Sequence, residues 1–205
     1  MTDRVEVVST VLLAVAAVAT AWSSYQATRW NGEQAKAASR TNAIRIEAAR
    51  AASLSEAQTE IDVATFIQWV NARARQEPQL ADFYLERFRK EFRPAFNAWI
   101  GTKPLTNPDA PPTPFAMSEY RVAAAVEAER LDAEAEESAA TVRRNIQRAS
   151  NYVLAVVLFA VALFFAGMST KLADPRLRKI TLACGCILFL GTVIWIATFP
   201  ISLAI

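Results

Sequence analysis

The residues in this chain best suited to chemistry are two cysteines, Cys184 and Cys186. Thiolates bind soft metals and form disulfides. Residues i and i+2 lie on different faces of a helix, however, so this spacing suits neither use. The sequence also contains no histidine, which removes the commonest zinc ligand and the usual proton shuttle at neutral pH. We expect two small apolar side chains here and no metal site.

Two groups of charged residues suggest other chemistry. Six carboxylates lie within 127–137, but their helical spacing lacks the glycine turn and loop oxygens of a calcium site. Four basic residues lie beside aromatic residues, and four acids between 77 and 91 balance their charge. They are Arg87, Arg89, Lys90 and Arg93. A neutral surface binds phosphates poorly. The sequence therefore predicts no enzyme, no cofactor and no nucleic-acid partner.

Three stretches without Asp, Glu, Lys or Arg are each at least 22 residues long: 7–28, 149–170 and 180–205. A helix needs about 20 apolar residues to cross a bilayer. We predict an all-α membrane protein with three transmembrane helices near 6–27, 151–169 and 180–201. The segment 1–28 then holds the first helix, and 149–205 forms a transmembrane hairpin.

Residues 29–148 form a predicted extramembrane domain with 17 basic and 17 acidic residues. Proline and glycine are absent from 33–76, which favours one long helix. Small or apolar residues recur there in coiled-coil-like steps of three and four: Ala37, Thr41, Ile44, Ala48, Ala51 and, after a skip, Leu54, Ala57, Ile61, Ala64. A second such seam consists of Ala124, Ala128, Leu131, Ala135, Ser138, Val142 and Ile146. We predict that the two limbs pack as a long antiparallel stalk.

The predicted tip of the stalk, 77–100, begins with Pro78 at the first position of a helix. Pro94 is expected to kink this helix or end its regular hydrogen bonding. Its bulky stripe consists of Leu80, Tyr84, Phe88, Phe92 and Phe96 at steps of four, with Trp99 beside them. Such a stripe is typical of core packing, here against Phe66 and Trp69, or of contact with a partner. A connector with five prolines follows at 101–114.

The exit of the first span, residues 21–34, reads AWSSYQATRWNGEQ. Trp22, Tyr25 and Trp30 fit an aromatic belt at the membrane interface, and Arg29 suits headgroup phosphates. Asn31-Gly32 is a candidate break in the helix. The segment resembles a stretch of uncharacterised bacterial membrane proteins with one N-terminal span, a helical domain and two C-terminal spans. The resemblance implies a bacterial cytoplasmic (inner) membrane and no particular activity.

Two functions remain open from the sequence. The first is a non-enzymatic, oligomeric scaffold or sensor that contacts copies of itself or a protein partner through the stalk or tip. The alternative is a homo-oligomeric ion channel with its pore between protomers. Small residues in the spans favour homo-oligomers in either case: Ala155, Ala160, Gly167, Gly185 and Gly191.

The orientation of the chain depends on two opposing groups of charges. The link 170–179 holds Lys171, Arg176, Arg178 and Lys179, which favours a cytoplasmic link and an extracytoplasmic stalk. Arg29, Lys36 and Arg40 after the first span favour the reverse. We give the link more weight, because long domains are translocated largely regardless of charge.

Overall fold

The computed structural model describes residues 4–202, and among these it contains helices and no strand. The ends of the predicted first and last segments, 1–3 and 203–205, lie outside the described residues. The helices are α1 (Arg4–Ala74), α2 (Pro78–Leu85), α3 (Arg93–Gly101), a short 3-10 helix (Pro114–Ala116), α4 (Ala123–Ser169) and α5 (Pro175–Ile196). The chain divides into two compact units. One joins 4–40 to 138–202 and is called the membrane bundle; the other, Thr41–Glu137, is called the helical domain.

Helix α1 runs for 71 residues without interruption. The break predicted at Asn31-Gly32 does not occur. No proline precedes Pro78, and one glycine costs a helix only about 1 kcal/mol relative to alanine. The helix ends where Gln76 adopts a left-handed conformation with φ 62°, and the Glu77 N–H donates to the Ala72 carbonyl at 3.0 Å.

Many of the buried and half-buried side chains of α1 follow two lines with a seven-residue repeat, and Leu12, Gln26 and Phe66 are buried outside these lines. One line starts at Ser9 and runs through Ala16, Ser23, Trp30, Ala37, Ile44, Ala51, Gln58, Thr65 and Ala72. The other starts at Leu13 and runs through Thr20, Ala27, Gln34, Thr41, Ala48, Ser55, Asp62 and Trp69. The two lines alternate in steps of three and four, as in a coiled-coil helix. The register therefore contains no skip after Ala51.

Three helices, α1, α4 and α5, are long and apolar enough to cross a membrane, as the sequence predicts. Within the membrane bundle, α1 lies antiparallel to α4: Ser9 and Ser169 share a hydrogen bond of 2.9 Å, and Trp30 packs with Ala149 and Tyr152. Helix α5 follows the direction of α1, because Leu182 packs near Leu12 and Phe199 packs near Trp30.

Helix α5 begins within the predicted link and ends before the predicted limit of the third span. Pro175 occupies its first turn, and the Asp174 carboxylate accepts from the Arg176 N–H at 2.8 Å. Pro200 has no N–H to donate to the Ile196 carbonyl, and its ring would clash with that carbonyl in a continued helix, which is consistent with an end at Ile196.

The non-helical tail after α5 is held by side chains of the other two membrane helices. The Ser202 N–H donates to Gln26 Oε1 at 3.0 Å, and Gln26 Nε2 donates to the Ser202 carbonyl at 3.4 Å. The Tyr152 hydroxyl donates to the Pro200 carbonyl at 3.2 Å. In apolar surroundings each unsatisfied backbone group is costly, so these contacts fix the tail against α1 and α4.

Gly185 allows the close approach of α4 and α5. A Cβ atom there would lie 3.2 Å from Phe165 Cβ and 3.3 Å from the Ala162 carbonyl oxygen. We expect Gly185→Val to lower the free energy of unfolding by roughly 1–3 kcal/mol through overpacking. Thermal unfolding in detergent measures this. Gly191→Val is the matched control, because nothing lies within 4 Å of that site; equal melting temperatures for the two variants would contradict the prediction.

Candidate functional site

The helical domain contains an aromatic core centred on Phe66. Its ring makes edge-to-face contacts with Phe92, Phe96, Trp99 and Phe115 at centroid distances of 5.4 to 6.5 Å. Such pairs contribute about 0.5–1.5 kcal/mol each beyond their buried area. Trp69 stacks on Phe66 and meets Phe96 edge-on at 4.9 Å.

Four members of the predicted stripe are buried in this core: Phe88, Phe92, Phe96 and Trp99. Tyr84 is half-buried and packs edge-on against Phe83, and Leu80 is 39% exposed. These residues do not share one helix, because α2 ends at Leu85 and α3 begins at Arg93. Pro94 lies in the first turn of α3, where its missing N–H costs nothing, so it helps to start a helix rather than kink one.

Asp62 is the most unusual polar residue of the domain, because its side chain is fully buried. Arg89 Nε donates to Asp62 Oδ1 at 3.2 Å, and the Tyr120 hydroxyl donates to Asp62 Oδ2 at 3.2 Å. Arg89 also pairs with Glu91 at 2.7 Å. The carboxylate thus joins α1 to the turn between α2 and α3 and to the segment before α4.

Burial raises the pKa of the Asp62 carboxyl above its ordinary range, and the Arg89 charge and the Tyr120 hydrogen bond offset part of that rise. Burial also raises the pKa of the Tyr120 phenol. This arrangement fixes three segments together, and a carboxylate held by two donors is a structural clamp rather than a free base.

The predicted seam of α1 is wrong beyond Ala51. Leu54 and Ile61 are 53% and 51% exposed, whereas Asp62 is buried. The seven-residue repeat continues through Ser55 and Gln58, which are half-buried. The prediction assumed that the apolar residues Leu54 and Ile61 would be buried. Asp62 is buried instead, because Arg89 and Tyr120 donate hydrogen bonds to its carboxylate.

An open groove of about 980 Å³ lies beside the aromatic core. Its apolar lining comes from Trp69, Leu85, Trp99, Ile100 and Leu105, and Leu105 is 94% exposed. The groove is also lined by two basic and two acidic residues: Arg73, Lys103, Glu77 and Asp82. Their charges balance, so the groove has no net charge.

The predicted membrane-interface residues fall into two groups. Trp22 and Tyr25 are exposed on the bundle surface, with ring centroids 5.9 Å apart. Trp30 is 8% exposed and packs inside the bundle, where the Arg148 guanidinium lies 4.5 Å from its ring centroid. Arg29 is half-buried. Their role at a lipid interface stays a prediction.

Comparison with protein-family models, curated proteins and solved structures finds no match for this chain. Both cysteines are free thiols, and residues 4–202 contain no cluster of potential metal ligands. The site is therefore judged on its own geometry.

Sequence reasoning missed Asp62 and Gln26, the two residues that hold irregular segments in place. A signal existed for Asp62: extending the repeat of Thr41 and Ala48 by two steps reaches Ser55 and then Asp62. Gln26 carried no comparable signal, because its partner is the backbone of a tail 176 residues away.

The raised pKa of Asp62 predicts an unusual dependence of stability on pH. The folded protein holds this proton more tightly than the unfolded chain, whose aspartate pKa is about 3.9. The contribution is therefore fully present below that value and is lost as the pH rises through the raised pKa. We expect the melting temperature of the wild type, relative to Asp62→Asn, to fall between acidic and neutral pH, as followed by tryptophan fluorescence.

Glu127→Gln is the control for this titration. Hydrogen bonding to Arg130 lowers the pKa of Glu127, so its contribution changes with pH in the opposite direction. A wild-type advantage over Asp62→Asn that instead grows with pH would contradict the prediction.

Proposed function

We propose that this protein is a non-enzymatic membrane scaffold or sensor that assembles with copies of itself through its extramembrane helical domain. The observation that carries the proposal is a second seven-residue repeat on an exposed face of α1. It consists of Leu54, Ala57, Ile61 and Ala64. Apolar residues at steps of three, four and three are the pattern by which helices pair.

This exposed face lies outside the register that α1 uses within its own chain. Within the chain, the repeat of α1 turns the polar residues Ser55, Gln58 and Asp62 towards the interior. The apolar residues Leu54 and Ile61 are exposed. A soluble domain that buries polar residues and exposes aliphatic ones at heptad spacing favours an interface. A second copy is a suitable occupant, because identical seams are self-complementary.

We further propose that α1 and α4 form an antiparallel stalk. The supporting contact is a small-residue cluster in which Ile44 and Ala48 pack with Leu131 and Ala135. Alanine seams bring helix axes close together but bury little surface. Assembly with a second copy would add the missing buried area.

The surface of the membrane bundle favours a scaffold over a channel. Ser9, Ser23, Ser169 and Thr192 are buried within the chain, whereas Thr10, Cys184 and Thr198 are exposed. Large exposed side chains are aliphatic over much of the first span: Val7, Val8, Val11, Val15 and Val18. Such a surface suits lipid and offers little to line a pore between protomers.

We expect Leu54→Glu combined with Ile61→Glu to reduce the assembly to smaller species, because charges directly opposite one another repel across paired seams. Mass determination in nanodiscs or mild detergent measures this. Val126→Glu is the control: Val126 is 58% exposed and belongs to α4. A wild-type monomer in several mild detergents would contradict the proposal, and ion flux through liposomes carrying the protein would support the channel instead.

We propose a bacterial cytoplasmic membrane as the location, with the link between α4 and α5 in the cytoplasm and the helical domain outside. The location follows the resemblance at 21–34, and the orientation follows the short basic link. In a Cys184→Ala, Cys186→Ala background, Thr106→Cys is expected to react with a membrane-impermeant maleimide in intact spheroplasts. Thr106 is exposed.

Ala173→Cys, in the link, is the matched control and should react only after the membrane is broken. Ala173 is also exposed. The reverse labelling pattern would place the helical domain in the cytoplasm.

A further inference from the structure

The loop that follows α3, residues 102–110, holds an apolar side chain out in solvent beside the open groove. Its Leu105 is the most exposed of the large hydrophobic side chains among residues 4–202. A single exposed leucine is ordinary on a protein surface. This one differs in two respects, because hydrogen bonds fix its loop and a groove with an apolar lining lies next to it. We call residues 102–110 the Leu105 loop.

Hydrogen bonds order the Leu105 loop on both sides of the leucine. The N–H groups of Thr106 and Asn107 both donate to the Lys103 carbonyl at 2.9 Å. The Asn107 side chain donates to the Thr102 carbonyl at 3.1 Å. Lys103 adopts a left-handed conformation with φ 57°, which turns the chain at this point. Leu105 is therefore presented by a fixed turn, and a fixed turn loses little conformational freedom on binding.

The lining of the groove suits an aliphatic side chain from another copy. Val70 and Ile100 line the groove and are 39% and 41% exposed. The Trp99 indole N–H donates to the Pro111 carbonyl at 2.8 Å, so its polar atom is satisfied and the ring adds apolar surface. With Leu105, three exposed aliphatic side chains surround one groove. Exposed apolar surface gathered around a groove is typical of an interaction site.

The charges of the Leu105 loop and of the facing wall of the groove are complementary. The wall, at the end of α1 and in α2, carries Arg73, Glu77 and Asp82, for a net charge of −1, and the loop carries Lys103. The Arg73 guanidinium lies 6.0 Å from the Trp69 ring centroid. All four charged side chains are exposed, and none forms an ion pair with another of residues 4–202. A second copy offers each of them a partner of opposite charge.

We propose that the Leu105 loop of one copy docks in the groove of a second copy, which returns the same contact. A two-fold interface has this property, since each residue pair in it occurs twice. Leu105 covers the aliphatic lining of the groove in the other copy, and Lys103 lies against the two acids of its wall. The contact rests on the proposed self-assembly and assigns it a second surface, distinct from Leu54 and Ile61.

Cysteine crosslinking between two differently tagged full-length copies tests the contact directly. Both copies carry Cys184→Ala and Cys186→Ala; one also carries Leu105→Cys and the other Val70→Cys. In nanodiscs or mild detergent, we expect a short bis-maleimide to give a species that carries both tags. In the matched control Ile67→Cys replaces Val70→Cys, because Ile67 is exposed on the same helix and lies outside the groove lining. The control should lose the doubly tagged species.

Charge reversal separates this contact from unspecific association. Lys103→Glu in the copy with Leu105→Cys should lower the yield of the doubly tagged species, because like charges then meet at the groove. Glu77→Lys with Asp82→Lys in the other copy should restore the yield. Both contacts of that mixed pair are attractive, whereas each variant repels a copy of itself.

Removal of the apolar contact gives a second measurement. Leu105→Asp should raise the dissociation constant of the tagged copies roughly tenfold or more, since the buried leucine surface is lost. Mass determination over a dilution series measures this change. Leu80→Asp is the control, because Leu80 is exposed in the same domain and lies outside the groove lining. It should leave the dissociation constant unchanged.

Equal crosslinking at Val70→Cys and Ile67→Cys, or no restoration by charge reversal, would overturn the proposal. So would a missing crosslink combined with protection of Val70→Cys from maleimide, which would indicate a different occupant of the groove. An assembly that is lost in the Leu54→Glu, Ile61→Glu variant but shows no groove crosslink would overturn this contact and leave the proposed self-assembly intact. A monomeric wild type would overturn both.

Discussion

The seven-residue repeat of buried positions in α1 is the constraint on which the other contacts depend. A helix with 3.6 residues per turn keeps such a repeat on one side only if it supercoils slightly to the left. From Ser9 to Ala72 every position of the two lines is buried or half-buried. Position in the repeat therefore selects many of the α1 side chains that meet the rest of the chain, while Gln26 and Phe66 make their contacts from outside it.

The cost of this constraint is visible in the polar residues that it buries. In the membrane bundle the repeat includes Ser9 and Ser23, and in the helical domain it includes Gln58 and Asp62. A buried polar group is tolerated when it is hydrogen-bonded. Ser9 meets Ser169, and Asp62 meets Arg89 and Tyr120, whereas the buried Ser23 Oγ and Gln58 Oε1 have no hydrogen-bond partner among the described residues. Each of these pairs links α1 to a distant segment, so the polar residues specify which segments meet while the apolar ones supply most of the burial.

The same constraint accounts for the surface that carries the proposed self-assembly. Because the register buries Ser55 and Asp62, the aliphatic residues Leu54 and Ile61 must face outward, where another helix can cover them. At the end of the membrane bundle, the repeat buries Trp30 and brings Arg148 against it.

The sequence alone determined the helical class, the three membrane helices and the aromatic nature of the core, because long uncharged stretches and bulky apolar residues have few alternatives to burial. It also placed Pro78 correctly at a helix start. Local pattern could not reveal that Phe88 and Phe92 lie in the turn between two helices, with Tyr84 in α2 and Phe96 and Trp99 in α3, since the step of four runs on unchanged from Tyr84 to Phe96. The continuation of the α1 register through Asp62, the clamp of Gln26 on Ser202 and the burial of Trp30 were decided by tertiary structure. In each case the stabilising partner lies 27 or more residues away in the chain, and only the folded arrangement supplies the hydrogen bond or packing surface that makes the position favourable.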